Sequence, residues 1–147
     1  MDGTSLETKL RENGIGVTKP RIRILEYMMT HRNHPSVDVV FSELRTEMPT
    51  LSRTTVYNVL KLLSERGLVQ MITIDDEHVN FDGDTAPHAH LLCRRCGCII
   101  DLPLEETTAE NAGKPYSIDG NLIEETHRYY RGLCAGCREL VLKEKIK

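Results

Sequence analysis

Four cysteines in two C-x-x-C pairs are the residues of this chain best suited to hold a metal. The first pair is Cys93 and Cys96, the second is Cys134 and Cys137, and residues 97–133 separate them. Four thiolates close a tetrahedron around zinc and leave no coordination position open. Disulfides and a thioredoxin-like redox pair are the alternatives, but the surrounding segment does not resemble the βαβ unit of a redox motif. The spacing therefore predicts structural zinc.

A second set of candidate ligands combines three histidines with two aspartates: His34, Asp82, His88, His90 and Asp101. Imidazole and carboxylate donors are harder than thiolates, suit Fe(II) or Mn(II), and can leave a coordination position open. His88 and His90 would face the same side of a strand, although a pair of surface histidines is the commoner explanation of such spacing. A closed metal site beside a potentially open one is typical of a sensor.

The roles of two further candidate ligands stay open. Cys98 follows Cys96 by two residues, and a half-buried small residue is the favoured interpretation. A substitute ligand or a reactive thiol is the alternative for Cys98. Of the remaining histidines, His127 is the best candidate for a secondary metal, whereas His31 and His78 are interpreted as solvent or core residues.

The elements that position these ligands begin with helices. A short amphipathic helix that opens at residues 6–10 and stops near residues 13–14 comes first, and Thr18, Ser36 and Ser52 then each precede apolar residues at helical spacing. Each is predicted to cap a helix, and Gly67 is predicted to end the last one. Residues 68–74 and 78–81 read as two strands around an acidic turn. The buried stripe of the second helix is predicted to be Ile22, Leu25, Met28 and Met29, with Tyr27 near its edge.

Helices followed by a β-hairpin describe a winged helix, in which residues 52–66 would form the helix that enters the DNA major groove. Its exposed side chains include types that contact base edges and phosphates: Arg53, Thr55, Tyr57, Asn58 and Lys61. An ordinary amphipathic helix with a solvated polar face explains the same residues. The hairpin that follows at once favours the DNA-binding interpretation.

The second half of the chain reads as a small sheet. Residues 91–93 and 99–102 are predicted strands around the first cysteine pair, residues 104–112 a helix, and residues 116–118 and 124–133 further strands. A short helix or frayed end over residues 139–147 completes the prediction. Such a sheet has a small core, so zinc would contribute much of its stability. Exposed edges of small sheets often pair across a two-fold axis, which favours a homodimer.

The expected fold class is therefore α+β. It comprises a winged-helix DNA-binding domain over residues 1–81 and a small α/β dimerisation domain with a zinc knuckle over residues 82–147. The net charge of −3 divides unevenly, because residues 1–74 hold ten Lys and Arg against eight Asp and Glu, whereas residues 75–147 hold nine against fourteen. A nucleic-acid surface is thus expected in the first half.

Composition and cysteine usage favour the cytoplasm. No apolar run reaches the length of a membrane span, no signal-peptide core opens the chain, and the cysteines are paired as metal ligands rather than spread as a disulfide framework. No membrane partner is expected.

Over residues 14–140 the sequence resembles the ferric uptake regulator family of metal-dependent repressors. The stretches that carry the resemblance are GIGVTKPR (14–21), HPSVD (34–38), SRTTVY (52–57), GLV (67–69), HAHLLCRRCG (88–97) and CAGC (134–137). The resemblance implies a homodimer that binds a palindromic operator, zinc on the four cysteines, and a regulatory metal between the domains on the five histidines and aspartates. Gly16 stands where relatives often have a basic residue, so Lys19 and Arg21 are expected to contact DNA instead.

Within the family, Asp82, Asp101 and the Tyr57-Asn58 pair resemble the peroxide-sensing branch. For that branch, the implied chemistry is reduction of hydrogen peroxide by bound Fe(II) and oxidation of His34 or His88, after which the metal is lost and repression ends. Mn(II) in the same site would be inert to peroxide.

Three other functions compete with this interpretation, and the third of them is a zinc-stabilised thiol switch that uses Cys98. An iron- or manganese-responsive repressor without peroxide chemistry is the nearer alternative. A metallohydrolase could use the same ligands to activate water, but no spare carboxylate is obviously placed as a general base. We therefore expect a regulator and not an enzyme.

Overall fold

The computed structural model describes residues 3–105 and 113–146. The chain forms two compact units, Met1–Thr85 and Ala86–Lys147. The expected domain boundary after residue 81 stays a prediction. None of the described helices is long and apolar enough to cross a bilayer.

The first unit contains four helices and a hairpin. The helices are α1 (Gly3–Glu12), α2 (Lys19–Thr30), α3 (Val37–Leu44) and α4 (Arg53–Glu65). The three predicted N-caps are confirmed: side-chain oxygens of Thr18, Ser36 and Ser52 accept hydrogen bonds from backbone N–H groups in the first helical turns at 3.3, 3.3 and 3.1 Å. Each cap satisfies a donor that the helix itself cannot pair.

The buried face of α2 is wider than its sequence predicts. Tyr27 is 5% exposed and therefore lies in the core, not near its edge, and Ile24 is fully buried although the predicted stripe omits it. Ile22 and Met29 are partly buried. The physical reason is that α1, α3 and α4 all contact α2, so more than one face of this helix is covered. The predicted apolar positions of α4 are all buried: Val56, Val59, Leu60 and Leu63.

The hairpin consists of β1 (Gln70–Ile72) and β2 (Asn80–Asp82), paired antiparallel with Gln70 opposite Asp82. β1 is shorter than the predicted strand over residues 68–74. Gly67 takes a left-handed backbone with φ +75°, so the chain is still turning out of α4 when it reaches residue 68. Asn80 of β2 also forms an antiparallel bridge with Ser36, the residue that caps α3.

The second unit is built around three strands, β3 (Ala89–Cys93), β4 (Ile99–Leu102) and β7 (Tyr129–Gly132), in the order β4-β3-β7. β3 pairs antiparallel with β4 and parallel with β7. A separate hairpin joins β5 (Tyr116–Ile118) to β6 (Asn121–Ile123), and α5 (Ala135–Ile146) closes the unit.

Three predictions for this unit need correction. The strand predicted over residues 124–133 is restricted to Tyr129–Gly132, and the strand Asn121–Ile123 was not predicted. The tight turn at Asp119 and Gly120, both with positive φ, returns the chain early enough to pair with β5. The last helix begins at Ala135 and not at residue 139, because it starts within the second cysteine pair. Most of the helix predicted over residues 104–112 lies outside the described residues.

Candidate metal centres and nucleic-acid interface

The four paired cysteines converge in the second unit. Cys93 ends β3, Cys96 lies in the following turn, Cys134 follows β7, and Cys137 lies in the first turn of α5. Their sulfur atoms all lie within 4.8 Å of one another, and the Cys96 and Cys134 sulfurs are 3.9 Å apart. A zinc tetrahedron with bonds near 2.3 Å has sulfur–sulfur edges of about 3.8 Å. The donor set therefore fits zinc in both chemistry and spacing.

Main-chain groups prepare this cluster for a cation. Backbone N–H groups of Cys96 and Cys134 point at the Cys93 sulfur and lower the pKa of that thiol to about 6. Hydrogen bonding to Cys134, together with burial, raises the pKa of Cys137 to about 12. In the metal-free cluster, Cys93 is therefore a thiolate at neutral pH, whereas Cys137 keeps its proton. A metal that binds Cys137 must displace that proton.

Cys98 is a fifth thiol at the edge of the cluster. It is half-buried, as favoured from the sequence, and its sulfur lies 3.1 Å from that of Cys96. Neither thiol lies on a strand, since β4 begins only at Ile99. A turn brings the two thiols together.

His34 and Asp82 form one group of the predicted regulatory ligands, in the first unit. The His34 Nε2 and Asp82 Oδ2 atoms are 3.5 Å apart, and both side chains are largely buried. His34 takes a left-handed backbone with φ 49°, which is uncommon outside glycine. Asn80 Nδ2 donates a hydrogen bond of 2.8 Å to the His34 carbonyl oxygen.

The sequence analysis missed Asn80, whose side chain contacts the backbone of the candidate ligand His34. Its contact with His34 spans 46 positions along the chain, so no local pattern could reveal it. The only signal in the sequence is the position of this amide, two residues before the candidate ligand Asp82. The bridge between Asn80 and Ser36 is visible only in the structure. Asn80 acts on the ligand's backbone and not on a metal.

His88, His90 and Asp101 form the other group, in the second unit. His90 stands opposite Asp101 in the β3–β4 register. Asp101 Oδ1 lies 3.1 Å from His88 Nε2 and 3.3 Å from His90 Nε2, and the two Nε2 atoms are 2.9 Å apart. His88 Nδ1 lies 2.7 Å from the Ala86 carbonyl oxygen, which favours the tautomer whose Nε2 carries a lone pair. These three donors are suited to chelate one hard or borderline cation.

The remaining histidines pair with other groups. His78 Nδ1 lies 3.4 Å from Asp75 Oδ2, His127 Nε2 lies 3.4 Å from Glu125 Oε2, and His31 stacks on Tyr27 with ring centroids 4.0 Å apart. Among the described residues, none of these three histidines belongs to a cluster of three or more possible metal ligands.

Helix α4 exposes most of the side chains predicted to contact DNA. Arg53, Tyr57, Asn58 and Lys61 are exposed, and Thr55 is partly buried beside the Ser52 hydroxyl at 2.9 Å. The Arg53 guanidinium contacts two side chains of α3: its Nε donates to Asp38 Oδ1 at 2.7 Å, and its Cζ lies 4.5 Å from the Phe41 ring centroid.

Lys19 and Arg21, the other two predicted DNA contacts, lie in the first turn of α2. Lys19 is exposed, and Arg21 Nη1 donates to the Gly16 carbonyl oxygen at 2.9 Å. Contact between DNA and any of these residues stays a prediction.

Sequence comparison decides the family. The profile of the ferric uptake regulator family matches residues 12–124. The chain belongs to the ferric uptake regulator family. As a member it is a metal-responsive repressor, and the family's proteins are transcriptional regulators rather than enzymes.

Individual relatives agree with the family assignment. The chain is 30% identical over 132 residues to the peroxide-responsive repressor PerR of Staphylococcus saprophyticus, which covers 90% of this chain and 88% of the relative. Its structure is similar to that of the ferric uptake regulator of Francisella tularensis with iron, at 26% identity and a TM-score of 0.65, with 85% of this chain and 96% of that chain covered. It is also similar to PerR from Streptococcus pyogenes, at 28% identity and a TM-score of 0.51, with 92% of each chain covered.

These comparisons confirm the expected fold class and the expected resemblance to the peroxide-sensing branch. The predicted cofactors, structural zinc with regulatory iron or manganese, are confirmed in kind by the four-thiol cluster and the histidine–aspartate donors.

Proposed function

We propose that this protein is a metal-dependent DNA-binding repressor that senses hydrogen peroxide through oxidation of a histidine ligand. The observation that carries the proposal is the pairing of carboxylate with imidazole in both groups of regulatory donors: Asp82 with His34, and Asp101 with His88 and His90. Carboxylate-rich coordination suits Fe(II) and Mn(II) better than zinc. The relative named as a peroxide-responsive repressor supports the same assignment.

The ligands divide into two roles. Cys93, Cys96, Cys134 and Cys137 hold structural zinc, and His34, Asp82, His88, His90 and Asp101 hold one regulatory Fe(II) or Mn(II). Because the regulatory donors come from both halves of the chain, an ion that binds all of them lowers the free energy of one arrangement of the halves. Metal binding then shifts the population toward the arrangement that binds DNA. When bound, Fe(II) would supply the electron that splits the O–O bond of peroxide; overall, peroxide would be reduced to water as an adjacent histidine ring loses two electrons and gains one oxygen.

The partner is double-stranded DNA with a palindromic operator, bound by a homodimer. Exposed side chains of α4 would contact bases in the major groove, and Lys19 and Arg21 would contact the DNA phosphate backbone. Dimerisation is supported by large apolar side chains that stay exposed in the second unit: Ile118, Leu122, Leu133, Leu140 and Leu142. A two-fold dimer that buries such residues explains why they are apolar.

The test loads the purified protein with Fe(II) in the absence of oxygen and adds a small excess of hydrogen peroxide. We expect a gain of one oxygen on the peptide of His34 or on that of His88 and His90, and no gain in the Mn(II) form. The peptides of His78 and His127 are internal controls, because non-specific oxidation would also modify these exposed histidines.

A plain iron- or manganese-responsive repressor is the second candidate. It is supported by the structural similarity to the F. tularensis ferric uptake regulator with iron, at a TM-score of 0.65. Unmodified histidines together with intact metal-dependent operator binding would establish this candidate and refute peroxide sensing through histidine.

A further inference from the structure

Cys98 contacts a metal cluster that is already complete without it. Four sulfurs close the tetrahedron that zinc requires. The fifth sulfur, that of Cys98, lies 3.1 Å from Cys96, closer than the 3.9 Å between the Cys96 and Cys134 sulfurs. A group this close to one ligand, and not needed as a ligand, is positioned to react with it.

The main chain fixes this proximity independently of any metal. Gly97 adopts φ +78°, and its N–H donates to the Cys93 carbonyl oxygen at 2.9 Å. The Cys93 N–H in turn donates to the Cys98 carbonyl oxygen at 3.0 Å. These hydrogen bonds close a tight turn over residues 93–98. The turn at Gly97 holds Cys98 beside Cys96.

Exposure differs between the two thiols in the way that a redox pair needs. Cys96 is exposed, whereas Cys98 is half-buried and Cys93 and Cys137 are buried. A small oxidant in water therefore reaches Cys96 first, and the Cys98 sulfur, 3.1 Å away, is positioned to attack the oxidised Cys96 sulfur. Reactive cysteines are the accessible ones, and a resolving cysteine commonly stands beside them.

We propose that Cys96 and Cys98 form a peroxide-sensitive thiol pair whose disulfide releases the structural zinc. The proposal rests on the assignment of zinc to the four cysteines but is independent of histidine oxidation. It gives the protein a second response to peroxide, in the unit expected to dimerise.

The chemistry balances in two steps. The Cys96 sulfur attacks hydrogen peroxide, the O–O bond breaks, Cys96 becomes a sulfenic acid, and the departing hydroxide takes a proton to become water. The Cys98 sulfur then attacks the Cys96 sulfur, the S–O bond breaks, and the hydroxyl leaves as water with the Cys98 proton. Two sulfurs give up two electrons in all, peroxide is reduced to two waters, and a disulfide remains.

Formation of this disulfide removes a zinc ligand. The two sulfurs must approach by about 1 Å to reach a disulfide bond length near 2.05 Å. Cys96 then no longer offers a thiolate, and three thiolates hold zinc more weakly than four. Reduction by a dithiol reverses the change and restores the site.

The experiment uses full-length protein with zinc in the cysteine site and Mn(II) in the regulatory site, so that histidine oxidation does not contribute. Zinc content is measured first, which tests the zinc assignment by itself. Peroxide is then added, zinc release is followed with a chromogenic chelator, and peptides are mapped without reduction. We expect zinc release with a peptide in which Cys96 and Cys98 are joined, and recovery after dithiothreitol and zinc.

Cys98→Ser is the decisive variant. It should keep stoichiometric zinc when reduced and release it roughly tenfold more slowly under peroxide, because the resolving thiol is missing. Cys98→Ala repeats the test without a hydroxyl, should the serine disturb the turn. The proposal would be overturned if both variants released zinc as fast as the unsubstituted protein. It would also be overturned if the unsubstituted protein released no zinc, or if the mapped disulfide did not include Cys98.

Discussion

His34 has a backbone that few side chains adopt, and Asn80 is positioned to hold it there. The His34 φ of 49° is stable only where neighbouring contacts enforce it. Asn80 Nδ2 binds the His34 carbonyl oxygen at 2.8 Å, and the Phe81 N–H binds the Pro35 carbonyl oxygen at 2.9 Å. The Asn80 Oδ1 atom is buried and accepts no hydrogen bond from the described residues. Keeping such an amide is costly, so its contact with His34 is expected to matter.

Asn80→Ala should therefore weaken the regulatory site. Losing a buried amide–carbonyl hydrogen bond costs about 1 kcal/mol of stability, reduced here because the unpaired Oδ1 is removed as well. Loss of support behind a metal ligand typically lowers metal affinity by about tenfold or more. Calorimetric titration with Mn(II) measures the affinity, and thermal unfolding measures the stability.

Asn13→Ala is the matched control for Asn80→Ala. Asn13 Nδ2 makes a similar 2.8 Å hydrogen bond to a carbonyl oxygen, that of Lys9, remote from the ligands along the chain. It should lower stability without changing Mn(II) affinity. Equal Mn(II) affinities in the two variants would show that Asn80 does not position His34.

The cysteine cluster should make zinc affinity depend on pH in two regimes. Cys93 has its pKa lowered from 9.0 to about 6, so it is already a thiolate at neutral pH and gives no proton to solvent when zinc binds. Below about pH 6 it is protonated in the metal-free state, and zinc must displace that proton too. Cys137, with its pKa raised to about 12, loses a proton to zinc throughout this range.

Zinc affinity should thus fall more steeply with acid below pH 6 than above it. Each additional displaced proton adds roughly a factor of ten per pH unit. Competition against a chelator of known affinity, repeated across this range, measures the slope. A slope that stays constant through pH 6 would contradict the low pKa of Cys93.

At the scale of elements, α3 and α4 share a contact that would compete with the proposed DNA contact of Arg53. Arg53 at the start of α4 bonds Asp38 of α3, and both side chains are largely exposed, at 63% and 70%. An exposed pair of this kind contributes less than about 1 kcal/mol to stability. We expect the pair to matter for DNA binding, since Asp38 holds the Arg53 guanidinium, which would otherwise be free to contact a phosphate or a base.

Asp38→Ala should therefore tighten operator binding while leaving stability almost unchanged. Releasing one cation to a phosphate steepens the salt dependence of the affinity by about one unit in the log–log slope. Fluorescence anisotropy with labelled operator, at several salt concentrations, measures both quantities. Glu47→Ala is the control, because it removes the same charge from a pair with Arg23, outside α4. An equal gain in both variants would mean that net charge, and not Arg53, causes the effect.

The same elements show how far sequence reasoning reaches. Caps at Thr18, Ser36 and Ser52 are local, so the first residues of α2, α3 and α4 could be predicted from the sequence. The C-x-x-C spacing likewise predicted which four cysteines converge. The contact of Asn80 with His34, the burial of Tyr27 and the hairpin partner of β5 depend on distant residues or on turn geometry, and local patterns do not encode them.

At the scale of the whole molecule, the two units differ in what stabilises them. The large apolar cluster comprises residues between Leu6 and Phe81, all in the first unit. In the second unit, the buried apolar residues among those described are Ala89, Cys93 and Cys137, and the last two are proposed zinc ligands. The first unit therefore has a core of its own, whereas the second is expected to depend on zinc for its stability.

Zinc removal should consequently unfold the second unit and spare the first. Hydrogen exchange measured by mass spectrometry, with and without a strong chelator, separates the two units along the chain. Amides of β3, β4 and β7 should lose their protection on chelation, because structural zinc contributes on the order of 10 kcal/mol to small domains. Amides of α2 and α4 should keep theirs, since all four proposed zinc ligands lie in the second unit. Cys134→Ser should reproduce the chelated pattern without chelator. Simultaneous loss of protection in both units would show instead that the chain unfolds as one cooperative body and that zinc stabilises all of it.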